Sequence, residues 1–395
     1  MPAGRRADKE VAVQRFDVLD SFRGLCALAV VLFHAQILLS FSELGFFRNA
    51  DLFVEFFFVL SGFVLCHAYG NRPFSPDVLR RFVISRTFRL LPLHLVMLAV
   101  FILLECAKLV AQHHGFSFND PAFSGKTAPG EILPNALLMQ SWLPWSESLS
   151  FNTPAWSISI EYYLYLVFGL TLLLMPRRSL QLFAAVSLVS AALLFVEPEP
   201  MLAFIRRGGT CFFAGVLLYR LYERIREAVM RLDDGPLFDA LELLGVLLVY
   251  RVLTAELPHK GLLASLLFCA VILVFAFERG VISRLLRMRL FKRLGELSFS
   301  IYLTHAAVLF VFTSVAIVLS RLLGAEFTVI LENPQSHQIM RYITSGDRLI
   351  DVLLTVALLG AVLMVSTFTY HCIELKGMAL GRRLSQSQPR HLSRV

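Results

Sequence analysis

The apolar segment LDSFRGLCALAVVLFHAQILLSF, residues 19–41, decides the class of protein. It is long and apolar enough to cross a bilayer. It also contains Arg23 and His34, and ionisable residues inside a span are costly and usually mark a pathway or a site. On a helix, the spacing brings both side chains to one face, about 16 Å apart along the axis. The segment therefore predicts a membrane helix with a cation near one surface and a titratable base deep inside.

The composition extends this prediction to the whole chain. Hydrophobic residues make up 57% of the chain and charged residues 17%, whereas a soluble domain has about 45–50% and about 25%. The sequence predicts an all-α integral membrane protein, a bundle of about ten transmembrane helices. The predicted spans are 19–41, 51–69, 90–112, 156–175, 180–196, 201–219, 239–253, 261–278, 297–320 and 349–371. The segment 132–145 is short and contains proline, so it is predicted to be interfacial or re-entrant.

The basic residues predict the topology. If the N-terminus is cytoplasmic, 26 of the 37 Lys and Arg residues lie in cytoplasmic segments, as the positive-inside rule requires. Both termini are therefore predicted to be cytoplasmic. The predicted organisation is a cytoplasmic segment 1–18, a transmembrane domain 19–371 and a basic tail 372–395. The net charge of +8 is explained by topology and contact with membrane lipids, and no nucleic-acid partner is expected.

Polar residues in the second span have two interpretations. Ser61 can hydrogen-bond to a neighbouring helix and Gly62 permits close helix approach, so packing alone explains both. Glu55 is harder to explain by packing, because an unpaired carboxylate in hydrocarbon would neutralise or seek a cation.

Two arginines precede the third span. Arg86 and Arg89 are three residues apart and share a helix face. They are either positive-inside charges that snorkel to the interface or, together with Arg23, an anion clamp for a polyphosphate ligand.

Later spans carry three further candidate residues. Glu161 lies in the fourth span, where it is either half of a structural ion pair or a functional carboxylate. Tyr302 and His305 lie in an unusually polar part of the ninth span. His305 is either a core histidine whose hydrogen bonds are all made within the bundle or a functional residue. No HxxxH, HExxH or CxxC spacing is present, so no metal site is expected.

Five motifs together resemble the membrane-bound acyltransferase-3 family. The segment LDSFRGLCALAVVLFHA resembles its basic residue, ten intervening residues and histidine, and FFFVLSGFVL its Phe-Ser-Gly motif. RTFRLLPLH resembles its Arg-x-x-Arg-x-x-Pro element, WSISIEYYLYL its Trp-Ser-Glu element and LGELSFSIYLTHAAVL its late Tyr-His motif. The motifs occur in the family's order and cover nearly the whole chain. Glu55 departs from the family's usual aspartate, Thr304 from a commoner aromatic residue, and Leu375-Lys376 from a Glu-x-Pro element.

The resemblance implies an enzyme of the bacterial cytoplasmic membrane. The family transfers acyl groups, commonly acetyl from acetyl-coenzyme A, to hydroxyl groups of sugars or secondary metabolites; O-antigen, exopolysaccharide and nodulation-factor acetylases and macrolide acylating enzymes are examples. By resemblance, His34 is the essential histidine, Arg23 its basic partner, and Arg86 and Arg89 the paired arginines of the acyl-donor site. The expected function is O-acylation of a cell-surface or exported carbohydrate, or of a secondary metabolite. Acyl-CoA is the expected co-substrate, with no tightly bound cofactor.

The expected mechanism makes His34 a general base that deprotonates the acceptor hydroxyl. Glu161 or Glu55 would orient the imidazole or bind the sugar, and Ser61 and Tyr302 are candidate donors to the oxyanion. His305 is a further supporting residue.

Other readings stay open at this point. In one variant His34 itself carries the acyl group. A different class, a proton-coupled transporter or flippase for a glycan or lipid-linked intermediate, also uses intramembrane His, Arg and Glu. The acceptor and the oligomeric state, including a homo-oligomer, are not decided by the sequence.

Overall fold

The computed structural model describes residues 15–196, 200–232, 235–332 and 339–386. Residues 1–14 of the predicted N-terminal segment and 387–395 of the predicted tail lie outside the described residues. The described helices are α1 (Asp17–His34), α2 (Phe53–Tyr69), α3 (Pro76–His113), α4 (Ile132–Ala136), α5 (Ala155–Leu174), α6 (Ser179–Val196), α7 (Pro200–Met230), α8 (Gly235–Thr254), α9 (Lys260–Phe275), α10 (Val281–Leu286), α11 (Arg289–Leu323), α12 (Arg348–Thr369) and α13 (Leu375–Gln386).

Membrane-length helices account for most of the described chain. Seven of them are long and apolar enough to cross a bilayer: Phe47–Tyr69, Pro76–His113, Ala155–Leu174, Ser179–Val196, Leu202–Met230, Arg289–Leu323 and Arg348–Gln386. The helical membrane class is therefore confirmed. Helices also occupy the three other predicted spans, as α1, α8 and α9. The total of about ten spans and the sides of the termini stay predictions. The segment 132–145 contains only the five-residue α4, which is too short to span.

The first helix is shorter than the predicted span 19–41, because α1 ends at His34. The residues after it form an extended stretch and two 3₁₀ helices, Phe41–Glu43 and Phe47–Leu52. The side chain of Arg48 folds back and donates to the carbonyl oxygens of Leu32 and Ala35, at 3.1 and 2.6 Å. The Ala35 N–H also reaches Leu32 O, at 3.2 Å, so Arg48 adds a second donor there and supplies a donor to Ala35 O at the helix end. The predicted helical continuation to residue 41 is therefore wrong.

A β-hairpin is the exception to the all-α prediction among the described residues. Strands β1 (Thr328–Glu332) and β2 (Ile339–Ile343) pair antiparallel, with Thr328 opposite Ile343. The chain after α1 joins this hairpin, because Ile343 N donates to Gln36 O at 2.8 Å and Leu38 N donates to Ile343 O at 3.0 Å. The hairpin therefore fixes the segment that directly follows His34.

The last helix continues past the predicted domain boundary at residue 371. A π-helical turn, Tyr370–Glu374, connects α12 to α13. Helix α13 packs closely on α3, where Gly377 lies against Pro92 and Gly381 against Phe88. Part of the segment predicted as a tail is thus packed against the bundle.

Helices α1 and α11 are in close contact through small residues. A Cβ atom at Gly24 would lie 2.4 Å from the carbonyl carbon of Leu294, and one at Gly295 would lie 2.3 Å from the carbonyl oxygen of Asp20. Glycines that allow backbones to approach are the usual means of tight helix pairing in membranes. This contact sets the position of α1 relative to α11, and therefore of His34 relative to His305.

We expect Gly295→Ala to destabilise the protein, because the added methyl group meets backbone atoms that cannot rotate away. Overpacking of this kind costs about 1–3 kcal/mol. Thermal unfolding in detergent measures the effect. Gly360→Ala is the control, since a Cβ atom there has no neighbour within 4 Å. Equal unfolding temperatures for the two variants would contradict the packing argument.

Candidate active site

The predicted arginine cluster lines a cavity inside the bundle. Arg23, Arg86 and Arg89 border a cavity of about 80 Å³, together with Ser61 and Glu161. A second cavity of about 40 Å³ adjoins it, because Arg23, Ser61, Glu161 and Phe299 line both. The second cavity is otherwise lined mostly by α2, α5 and α11: Val54, Phe57, Phe58, Ser157, Ile158, Ser298 and Tyr302. Arg23, Ser61, Arg86, Arg89 and Glu161, which come from four helices, therefore line one internal space. Tyr302 lines the smaller of its two cavities.

Glu161 holds a hydrogen-bonded position in the wall of this cavity. Its Oε1 atom accepts hydrogen bonds from the hydroxyl groups of Ser61 and Tyr165. The ring of Tyr165 also lies 5.7 Å from the Arg86 guanidinium, in a cation–π contact. Glu161 thus connects α2 and α5 beside the arginines.

The two paired arginines have different surroundings. Arg89 forms an ion pair with Glu374, whose side chain is fully buried, and Ser300 donates to the other Glu374 oxygen at 2.7 Å. The Nε atom of Arg86 is buried and has no hydrogen-bond partner in the described part of the chain. Arg89 is therefore held in place by an ion pair, while Arg86 lines the cavity without a carboxylate partner among the described residues. Glu374 was missed because residues 372–395 are predicted as a tail.

The two predicted histidines contact each other. The His34 and His305 ring centroids are 5.0 Å apart, and His305 Nε2 lies 3.3 Å from His34 Nδ1. His34 Nδ1 also lies 3.0 Å from the carbonyl oxygen of Val30, and His305 Nδ1 lies 3.2 Å from that of Ile301. A carbonyl oxygen only accepts, so each Nδ1 donates.

These bonds assign the tautomers of the neutral rings. Each ring carries its proton on Nδ1, and His305 Nε2 is an acceptor facing His34 Nδ1–H. The lone pair of His34 is then on Nε2. His34 is half-buried and His305 fully buried. The pair therefore presents one basic nitrogen, His34 Nε2, in a fixed ring orientation.

No carboxylate among the described residues orients His34, in contrast to the hypothesis above. Glu161 binds Ser61 and Tyr165, as described above. Glu55 binds Arg207, with its Oε1 atom 2.7 Å from Arg207 Nε. The imidazole is oriented by a backbone carbonyl and by His305 instead. Sequence analysis did not identify this partner, although Arg207 lies within the predicted span 201–219, where a cation needs a counter-charge.

Tyr302 connects the cavity to the histidines. Its hydroxyl lies 2.8 Å from the Ser157 hydroxyl, and its ring centroid lies 6.0 Å from that of His305 and 5.7 Å from that of Phe57. Tyr302 and Phe57 both line the smaller cavity, of about 40 Å³. The arginine cluster and the histidine pair therefore lie at opposite ends of one line of contacts.

Arg48 is the residue beside His34 that sequence analysis missed. Its side chain is only 5% exposed. Besides Leu32 and Ala35, it donates to the carbonyl oxygens of Phe33 and Ser42, at 3.1 and 2.8 Å, and it pairs with Glu43 at 3.1 Å. Burial raises the pKa of the Glu43 carboxyl, although the Arg48 guanidinium opposes this rise. A cation at a helix C-terminus is also favoured by the helix dipole.

Comparison with known proteins identifies the family. The family described as an acyltransferase domain matches residues 16–371. The chain belongs to the acyltransferase-3 family. It is similar to the acyltransferase MdmB of Streptomyces mycarofaciens, with 29% identity over 335 residues, which cover 75% of this chain and 80% of that protein.

A shorter similarity relates the chain to protein 2 in the picA locus of Rhizobium radiobacter. The identity is 38% over 88 residues, which cover 22% of this chain and 44% of that protein. No solved structure gives a significant match. Membership of this family supports acyltransferase activity in a multi-pass membrane protein and favours the enzyme over the transporter.

We expect Arg48→Gln to destabilise the end of α1, because several carbonyl oxygens lose a buried donor. Unsatisfied buried acceptors cost about 1–3 kcal/mol. Arg48→Lys should restore only part of the loss, since an ammonium group cannot reproduce the planar fork of donors. Thermal unfolding measures both variants. Arg251→Gln, at an exposed arginine near the end of α8, is the control, and a similar loss there would contradict the assignment.

Proposed function

We propose that the protein transfers an acetyl group from cytoplasmic acetyl-CoA to a hydroxyl group of an exported or cell-surface carbohydrate, or of a secondary metabolite, in the bacterial cytoplasmic membrane. The observation that carries this proposal is the line of contacts from the arginine-lined cavity, through Tyr302, to the basic nitrogen of His34. The cations suit a polyphosphate donor, and the neutral imidazole suits a hydroxyl acceptor.

The donor binds at the arginine cluster. The phosphates of acetyl-CoA pair with Arg86, Arg89 and Arg23, because guanidinium groups bind phosphate oxygens with charge-assisted hydrogen bonds. Arg86 supports this role most directly, since its buried Nε atom has no partner in the described residues. The two cavities, of about 80 and 40 Å³, must widen for the pantetheine arm to extend past Glu161 and Ser61 and bring the thioester toward Tyr302.

The transfer is a direct attack on the thioester. His34 Nε2 takes the proton of the acceptor hydroxyl while its oxygen bonds to the thioester carbonyl carbon. The carbon–sulfur bond then breaks, the CoA thiolate leaves, and the proton held on His34 neutralises the thiolate. His305 supports the imidazolium that forms, because its Nε2 accepts from His34 Nδ1–H in the geometry above. The Tyr302 and Ser61 hydroxyls are the candidate donors to the oxyanion.

An acyl-histidine relay is the alternative chemistry for the same site. His34 Nε2 would attack the thioester itself, and the acetyl-imidazole would pass the acetyl group to the acceptor. The two routes are separated by mixing the protein with one equivalent of labelled acetyl-CoA, quenching, and examining the peptide with His34 by mass spectrometry. An acetylated His34 supports the relay, and its absence during measurable turnover supports direct transfer.

We expect His34→Ala and His34→Gln to lower acetyl transfer by about 10²–10⁴-fold, the contribution of a positioned general base. The measurement is incorporation of [¹⁴C]acetyl from acetyl-CoA into membrane and soluble acceptors. His113→Ala, at an exposed histidine at the end of α3, is the control. Normal transfer by a folded His34→Ala variant would reject the assignment.

The donor site makes a separate prediction. Arg86→Gln should raise KM for acetyl-CoA about 10- to 100-fold, the equivalent of about 1.5–3 kcal/mol for a hydrogen bond to a charged group, with a smaller change in kcat. Arg81→Gln is the matched control, because Arg81 is an exposed arginine on the same helix. If both variants change KM equally, nonspecific attraction by the basic surface explains donor binding and the proposed cavity does not.

A further inference from the structure

A third cavity, also polar, lies on the other face of α2. Val54, Phe57 and Ser61 of α2 line the two cavities of the candidate active site. Glu55, also on α2, lines a separate cavity of about 250 Å³. Asp51, Phe195, Arg207 and His259 also line it. A volume of this size holds roughly 15–25 water-sized positions, which leaves room for a hexose ring of about twelve non-hydrogen atoms.

Glu55 has an unused acceptor in the wall of this cavity. Its side chain is 2% exposed, and its Oε1 atom is paired with Arg207. Its Oε2 atom is buried and has no hydrogen-bond partner among the residues that the structure describes. A buried carboxylate oxygen without a donor is unfavourable. A ligand that brings hydrogen-bond donors into the cavity would satisfy it.

The polar groups of the cavity match hydroxyl groups better than phosphates. Asp51, near the end of the 3₁₀ helix Phe47–Leu52, and Glu55, in the first turn of α2, both line this cavity. Carboxylates accept hydrogen bonds and the Arg207 guanidinium donates them, while a hydroxyl group does both. Two acidic side chains in the lining disfavour a polyphosphate, although Lys260 also lies near Asp51.

One wall of the cavity is aromatic. The rings of Phe195 and His259 stack with centroids 4.4 Å apart and an interplanar angle of 25°. His259 has φ of 51°, in the left-handed region, which is uncommon for residues other than glycine and recurs at ligand-binding sites. The stack leaves one outer ring face and the ring edges for a ligand, and aromatic lining with a few convergent polar groups is the usual construction of a small-molecule site.

From these observations we infer that this cavity binds a cyclic polyol, a sugar ring of the acceptor, with its hydroxyl groups on Asp51 and Glu55 and its ring against Phe195 and His259. Its description as an acceptor subsite rests on the proposed function; the sugar binding itself does not. The 3₁₀ helix Phe47–Leu52 joins this subsite to the histidine site, because it carries both Asp51 and Arg48. The subsite therefore holds a part of the acceptor distant from the reacting hydroxyl.

Saturation-transfer difference NMR tests the inference without any acyl donor. The full-length protein in phosphatidylcholine nanodiscs, a lipid without a polyol headgroup, is mixed with methyl glycosides of glucose, galactose, mannose and rhamnose. We expect saturation transfer to the ring protons of at least one glycoside. Asp51→Asn and Phe195→Leu should each weaken its apparent affinity about 10-fold. Phe195 is 60% exposed, so Phe195→Leu should fold normally. This variant therefore tests the inference even if Asp51→Asn fails to fold.

The control and the contradicting results are defined on the same protein. Glu256→Gln, at an exposed carboxylate near the start of α9, should leave binding unchanged. No saturation transfer from any of the four glycosides, or equal affinity in wild type and both cavity variants, would overturn the inference. Acetyl transfer is measured separately. If sugar binding fails while His34-dependent transfer persists, the subsite alone is wrong; if transfer fails while binding persists, the proposed function is wrong and the sugar site remains.

Discussion

The hydrogen bonds from Arg48 to the last carbonyl groups of α1 are the interaction on which the proposed site depends. In hydrocarbon, a backbone carbonyl without a donor is costly, so a helix can end inside the bundle only where another group supplies one. Arg48 supplies it and thereby ends α1 at His34. The residues that follow can then join β2. The end of the helix orients His34 through Val30, and the close contact at Gly24 and Gly295 brings His305 to it.

Three ion pairs with buried carboxylates brace the bundle. Glu55 pairs with Arg207, Arg89 with Glu374, and Lys108 with Glu105. Each pair joins or braces elements in a region where an isolated charge would be unfavourable. Arg86 differs, because its buried Nε atom has no hydrogen-bond partner in the described chain, and this difference makes it the strongest candidate for an anionic ligand. Glu55 differs in the same way through its free Oε2 atom, on the opposite face of α2.

The sequence predicted those features that a single segment encodes. The spacing of Arg23 and His34, the pair Arg86 and Arg89, and the apolar helices follow from local periodicity. Contacts between distant segments could not be predicted in this way. Nothing local indicates that Arg48 returns to cap α1, that Glu374 reaches Arg89 across 285 positions, or that His34 meets His305 rather than a carboxylate. The hairpin β1–β2 was also missed, because its strands are short and lie in a polar connection.

In the proposed function the acyl donor binds at the arginine cluster and the acceptor at His34, and a sidedness experiment tests the side from which the donor is used. Inside-out and right-side-out membrane vesicles from the natural host, with the chromosomal gene deleted and either wild type or His34→Ala restored, receive [¹⁴C]acetyl-CoA from outside. The account predicts labelled glycan or metabolite in inside-out vesicles with the wild-type protein, and none with His34→Ala. Equal labelling in sealed right-side-out vesicles, or labelling that persists in His34→Ala, would contradict it.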